Sequence, residues 1–138
     1  MKKNGFTLLE VILVLFLITL IVGLSSVFFA GFLPSAKINA TGREITGMIR
    51  HARSLARLNM ESRTVLIDLD NRTYGIEGMA TKYFPPDARI QVIDPFSDNE
   101  ITRGQYPIVF YPIGGMTGGT IILSLGKKEI RINLDPFK

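Results

Sequence analysis

A chain of 138 residues is long enough for one compact domain plus an anchor and too short for two ordinary domains. Hydrophobic residues make up 46% of it and crowd between Phe6 and Leu33, leaving a remainder of mixed, soluble character. The absence of cysteine excludes disulfides, cysteine zinc sites and thiol catalysis, and a net charge of +4 is compatible with nucleic acid or anionic lipid without selecting either.

In chain order the first element is apolar. From Val11 to Ala36 there is no charged residue. As a helix this run would extend roughly 39 Å at 1.5 Å per residue, enough to cross a bilayer core about 30 Å thick with some tilt. Lys2 and Lys3 precede it, so the positive-inside rule puts Met1 in the cytoplasm and the C-terminal part outside. The run is too long for the apolar region of a cleaved secretory signal, and no small-x-small site closes it. Gly23, Ser25 and Ser26 are small enough to let helices approach closely.

Glu10 does not fit a plain anchor. It sits inside Phe6-Thr7-Leu8-Leu9-Glu10-Val11-Ile12-Leu13, where a lipid-facing carboxylate is costly and ordinarily has a partner. Cutting the chain before Phe6 would create an α-amino group, which a neighbouring copy could present to Glu10. The stretch Gly5-Phe6-Thr7-Leu8-Leu9-Glu10, after the short basic leader Met1-Lys2-Lys3-Asn4, resembles the type IV prepilin signal. The resemblance implies cleavage between Gly5 and Phe6 by a membrane-bound prepilin peptidase and N-methylation of Phe6 by the same enzyme. It also implies that Glu10 sets register by pairing with the Phe6 amine of an adjacent subunit. Gly5, lacking a side chain, suits an extended backbone in a protease cleft.

Beyond the anchor, Gly31 and Pro34 are expected to bend or loosen the helix. Periodicity then resumes. Ile38, Ile45, Ile49, Ala52, Ala56 and Met60 recur at helical spacing, widened by Met48 and Leu55, and predict an amphipathic helix over about 35–60. Lys37, Arg43, Arg50, Arg53 and Arg57 occupy much of its other face, with Glu44 the one acid. Arg43, Arg50, Arg53 and Arg57 form a possible basic interaction face, either solvated or meeting acidic surfaces of neighbouring subunits. Without aromatic stacking residues, nucleic acid is not expected as its partner. His51, with no serine motif beside it, does not make a triad.

From Ser62 the pattern is that of strands. Thr64–Leu69 and Thr73–Ile76 flank the turn Asp70-Asn71-Arg72. Arg89–Ile93 follows Pro85-Pro86-Asp87, and Pro107–Tyr111 precedes a glycine-rich stretch. Thr120–Leu125 and Glu129–Leu134 flank Gly126-Lys127-Lys128 as a second hairpin. The predicted class is α+β: a long N-terminal helix, membrane half and amphipathic half, packed on antiparallel β-sheet. Residues 1–5 would be leader, 6–33 transmembrane and assembly helix, and 34–138 a periplasmic domain.

The segment Val109-Phe110-Tyr111-Pro112-Ile113-Gly114-Gly115-Met116-Thr117-Gly118-Gly119-Thr120-Ile121-Ile122-Leu123 is similar to one found in the GspH/FimT group of pilin-like proteins. That group's chains often end in an Asp-Pro…Gly segment, whereas here the end reads Asp135-Pro136-Phe137-Lys138. The resemblance implies a minor pseudopilin of a type II secretion system, or a FimT-like minor pilin that binds DNA during uptake. Its implied partners are other pseudopilins or minor pilins, the prepilin peptidase, an inner-membrane assembly platform and membrane lipid. The implied location is the bacterial inner membrane, in a single pass.

Nothing in the sequence points to an enzyme or a cofactor. Asp68 with Asp70, and Asp94 with Asp98 and Glu100, supply hard oxygen ligands. Their spacing is not that of a calcium loop, and turn capping explains both groups. Gly114–Gly119 lacks the Gly-Lys-Ser/Thr ending of a phosphate loop.

Overall fold

The computed structural model describes residues 4–136. The leader residues Met1, Lys2 and Lys3, and the terminal Phe137 and Lys138, lie outside the described residues. Helix α1 runs Leu8–Asn59 and is followed by eight strands: β1 Arg63–Asp68, β2 Thr73–Ile76, β3 Lys82–Tyr83, β4 Arg89–Ile93, β5 Glu100–Ile101, β6 Gln105–Phe110, β7 Gly119–Leu125 and β8 Lys128–Leu134. The α+β class is as expected. The chain divides into two compact units at Leu33 and Pro34.

In the first unit the helix surface is apolar apart from Glu10 and a few hydroxyls. Every large hydrophobic side chain from Phe6 to Leu33 is exposed. The hydroxyls on this stretch bond back to the helix itself: Thr19 Oγ1 to the Leu15 carbonyl, Ser25 Oγ to Ile21 and Ser26 Oγ to Gly23, each at 2.8 Å. A polar group satisfied in this way can enter hydrocarbon without an unpaired donor.

Pro34 lies inside α1. It removes one donor, that aimed at the Ala30 carbonyl, but it does not end the element. Both halves of the long helix read from the sequence thus fall within the one element α1.

The second unit holds the core. Ile38, Ile45, Ile49, Ala52 and Ala56 are buried, as their spacing predicts, and Met48 and Leu55 are partly buried beside them. Met60 is a correction: it is 68% exposed and adopts φ 55°. The helix has stopped at Asn59, and the Glu61 N–H turns back to the Ala56 carbonyl at 3.2 Å. A left-handed residue followed by that bond is a Schellman-type stop, which rotates Met60 off the apolar stripe.

The strands form two four-stranded antiparallel sheets, ordered β3-β2-β1-β6 and β5-β4-β7-β8. Both predicted hairpins are present, with Val65 opposite Ile76 in one and Leu123 opposite Ile130 in the other. Alternation puts Val65, Ile67, Ile108 and Phe110 of one sheet, and Ile90, Val92, Ile121 and Leu123 of the other, into a single core with the helix stripe. β3 and β5 escape the sequence pattern because two-residue strands carry no period. A methyl group at Gly42 would lie 3.6 Å from the Ile130 side chain, a measure of how closely β8 approaches the helix.

The glycine-rich stretch serves packing. Gly118 and Gly119 have φ of 77° and 133°. A Cβ on Gly118 would fall 2.9 Å from Pro136 Cδ and 3.1 Å from the Leu134 carbonyl oxygen. Only glycine combines that backbone with that approach.

Candidate functional site

The N-terminal motif builds a helix start. Thr7 stands immediately before α1, and its Oγ1 accepts the Glu10 N–H at 3.2 Å, while the Thr7 carbonyl takes the Val11 N–H at 3.2 Å. Thr7 is thus the N-cap. The Thr-x-x-Glu spacing is the pattern of a capping box, a signal in the motif beyond its resemblance. A carboxylate in the first turn also faces the positive end of the helix dipole.

Gly5 and Phe6 precede the helix, Phe6 being 84% exposed, and nothing stands within 4 Å of the place a Gly5 Cβ would take. The peptide bond between them therefore lies on exposed backbone outside the helix. Glu10 is exposed as well, and its carboxylate makes no ion pair among the described residues. It is a charged group on an apolar helix surface.

The basic face lies in the second unit. Arg43, Arg50 and Arg57 are exposed. Arg53 departs from the expected solvated row. Its Nη2 lies 3.8 Å from the buried Met116 sulfur, and its guanidinium sits 6.0 Å from the Phe110 ring centroid. It therefore helps hold the glycine-rich segment on the helix. Arg43 and Arg50 line a groove of about 550 Å³ between the helix and β8.

Glu44, the acid on that face, is also structural. Its carboxylate accepts the Tyr74 hydroxyl at 2.7 Å and pairs with Lys82. The Lys82 hydrogen bond, then that from Tyr74, holds its carboxyl below the ordinary value. Burial, then the Glu44 contact, pushes the Tyr74 phenol up. Helical spacing alone gave no hint of this tie, since Tyr74 lies on a strand read independently.

The acidic groups are occupied by turns. Asp68 Oδ1 accepts the Asn71 N–H at 2.8 Å, and its Oδ2 accepts Asn71 Nδ2 and Gln105 Nε2, each at 2.9 Å. The Asn71 N–H leads in keeping the Asp68 carboxyl below its usual value. Asp94 accepts the Phe96 N–H at 3.2 Å and the Ser97 hydroxyl at 2.8 Å. Among the described residues no three His, Cys, Asp or Glu side chains gather as metal ligands. His51 is exposed and borders a shallow hollow with Glu44, Met79 and Lys82.

α1 contains an 18-residue window of mean hydropathy 2.9, long and apolar enough to cross a membrane. Residues 1–26 match the family model described as the prokaryotic N-terminal methylation motif. The N-terminal segment is prepilin-like. No curated protein and no solved structure matches the chain. The motif implies processing by a prepilin peptidase and assembly with other pilins, and the apolar helix is consistent with membrane anchoring.

Proposed function

We propose that this chain is a minor pseudopilin of a type II secretion system, a structural and non-catalytic subunit of a periplasmic fibre that drives export across the outer membrane. The observation that carries the reading is Glu10: an exposed carboxylate without an ion-pair partner among the described residues, at the head of a helical stretch with no other charge up to Ala36, five residues beyond the Gly5 carbonyl that cleavage would free. The methylation motif and the glycine-rich segment from Val109 to Leu123 support it. The leader holds the precursor by its cytoplasmic end, cleavage before Phe6 creates an amine, and Glu10 receives that amine from an adjacent subunit.

The test is Gly5→Lys in the full-length precursor, followed by mass spectrometry of the membrane-bound chain. The expected result is an uncut chain in the variant and a methylated Phe6 N-terminus in the parent. A variant that still begins at Phe6 would overturn the reading. Secretion and pilus systems are then told apart by deleting the gene and measuring exported protein against fibre-dependent DNA uptake. The exposed Arg43 and Arg50 favour, as a second reading, a FimT-like minor pilin that binds DNA. Loss of uptake with intact export would select it.

A further inference from the structure

The groove between α1 and β8 has two walls of different chemistry. Asn39, Arg43, Thr46 and Arg50 form the helix wall, and Ile130, Arg131 and Ile132 the strand wall. Neither an aromatic ring nor a carboxylate lines it. An adjoining hollow of about 220 Å³ continues along Thr46, Arg50 and Ile132 towards Met116 and Leu134, and there Arg53 and the carboxylate of Asp135 join its lining. Arg43 and Arg50 make no ion pair among the described residues, while Arg131 Nε is held by Glu129 at 2.8 Å. The helix wall therefore presents two cations that no ion pair among the described residues holds.

The strand wall is an open edge. β8 is last in its sheet, paired through seven residues with β7 on one side and bridged to no other segment among the described residues. In an antiparallel edge strand, alternate residues aim their N–H and C=O groups outward. Lys128, Glu129 and Arg131 are exposed on this edge, and since Glu129 pairs with Arg131 the edge keeps a net positive charge. Charges so placed deter pairing with an apolar or basic strand, and they leave an acidic one admissible.

We infer that the groove is a docking site for an extended, acidic segment of a neighbouring fibre subunit, added to β8 as a fifth strand. The identity of the partner as a fibre subunit rests on the proposed function; the groove's selectivity rests on its own residues. Main-chain bonds to β8 supply affinity, and side chains alternate along the added strand. Those on one face meet the helix wall, where carboxylates satisfy Arg43 and Arg50. Ile130 and Ile132, half-buried beneath, accept apolar neighbours. Nucleic acid fits less well, because the groove offers few cations and no ring on which a base could stack.

The experiment uses the full chain in lipid nanodiscs and a fluorescent seven-residue peptide with Asp or Glu at alternate positions between Val and Thr. Controls are the same peptide with Asn and Gln, and a DNA oligonucleotide. The expected result is binding of the acidic peptide at least roughly tenfold tighter than the amide control, with slowed amide exchange across 128–134. Arg43→Glu with Arg50→Glu should abolish that preference, and Arg43→Lys with Arg50→Lys should largely keep it. Both pairs are exposed, and an unchanged unfolding midpoint verifies the fold.

Equal binding of the two peptides, or binding without slowed exchange in β8, would overturn the inference. Tighter DNA binding that leaves β8 exchange unchanged would assign the groove to nucleic acid instead. Protection of β8 that rises with protein concentration in the absence of peptide would assign it to a second copy. Any of these results, with the chain still cut before Phe6, leaves the prepilin reading standing.

Discussion

The Tyr74 hydroxyl donates to Glu44 Oε2 at 2.7 Å, joining the helix to the first sheet. Tyr74 is almost wholly buried, whereas the Glu44 side chain is 41% exposed. Removing the two partners should therefore have unequal effects. Tyr74→Phe removes donor and desolvation together and should cost about 1 kcal/mol. Glu44→Ala strands the phenol and should cost about 1–3 kcal/mol, towards the lower figure because water reaches the acid's side of the bond. A double-mutant cycle by denaturant unfolding measures the coupling; additive single effects would show that the bond contributes nothing.

The same carboxylate, with Asp68, gives stability a pH dependence. Both have folded pKa values below their ordinary 4.5 and 3.8, because hydrogen bonds favour the charged forms. A lowered acid pKa means that the unfolded chain binds more protons. The contribution is fully present above the ordinary values and is lost as pH falls through the lowered ones. The unfolding midpoint should thus drop on acidification from about pH 5 downward. Glu44→Gln and Asp68→Asn should each flatten that drop, and thermal unfolding followed by circular dichroism between pH 3 and 7 checks it.

The sequence made the helix stripe legible because burial and period agree at Ile38, Ile45, Ile49, Ala52 and Ala56. It misplaced Met60, because a Schellman stop is a backbone event and Met60 fits the period by type alone. The hairpins were readable from the turn residues at 70–72 and 126–128. The two-residue strands at Lys82 and Glu100 were not, since two residues carry no alternation to read, although each pairs with the strand just before it. The N-terminal motif was readable as a motif. The capping role of Thr7 and the tethering of Arg53 to Met116 required positions.

That contrast can be measured. Ile49→Ala removes a buried side chain of the common core and should cost about 2–5 kcal/mol through lost burial and a residual cavity. Met60→Ala changes an exposed side chain and should stay within about 0.5 kcal/mol. Comparable costs at the two sites would contradict the observed helix end.

Gly118 tests the glycine-rich segment as packing. Alanine there must adopt φ near 77° with its methyl group 2.9 Å from Pro136 and 3.1 Å from the Leu134 carbonyl oxygen. The backbone conformation alone costs of order 1–3 kcal/mol, and neither neighbour is the loose end of a flexible side chain. Gly118→Ala should therefore destabilise the domain by more than Gly126→Ala, whose φ is 61° but which has open space around its missing Cβ. Denaturant midpoints of the two variants decide the matter; equal losses would leave strain as the whole effect.

Glu10 separates anchoring from assembly. Its removal takes a charge from an apolar helix surface, so Glu10→Val should insert into the membrane at least as well as the parent. Thr7 Oγ1 receives the backbone N–H of residue 10 and not its side chain, so the helix start survives the substitution. Cleavage before Phe6 should also persist, because the peptide bond after Gly5 lies outside the helix. The loss should appear only where a second subunit must recognise the new amine. Glu10→Val is expected to accumulate as cut, methylated monomer in the membrane fraction and to be depleted from sheared fibres when co-expressed with the parent. Glu10→Asp keeps the charge on a shorter arm and should restore part of the incorporation. Equal recovery of the Val variant and the parent from fibres would remove the pairing role and leave Glu10 only its place in the first turn of the helix.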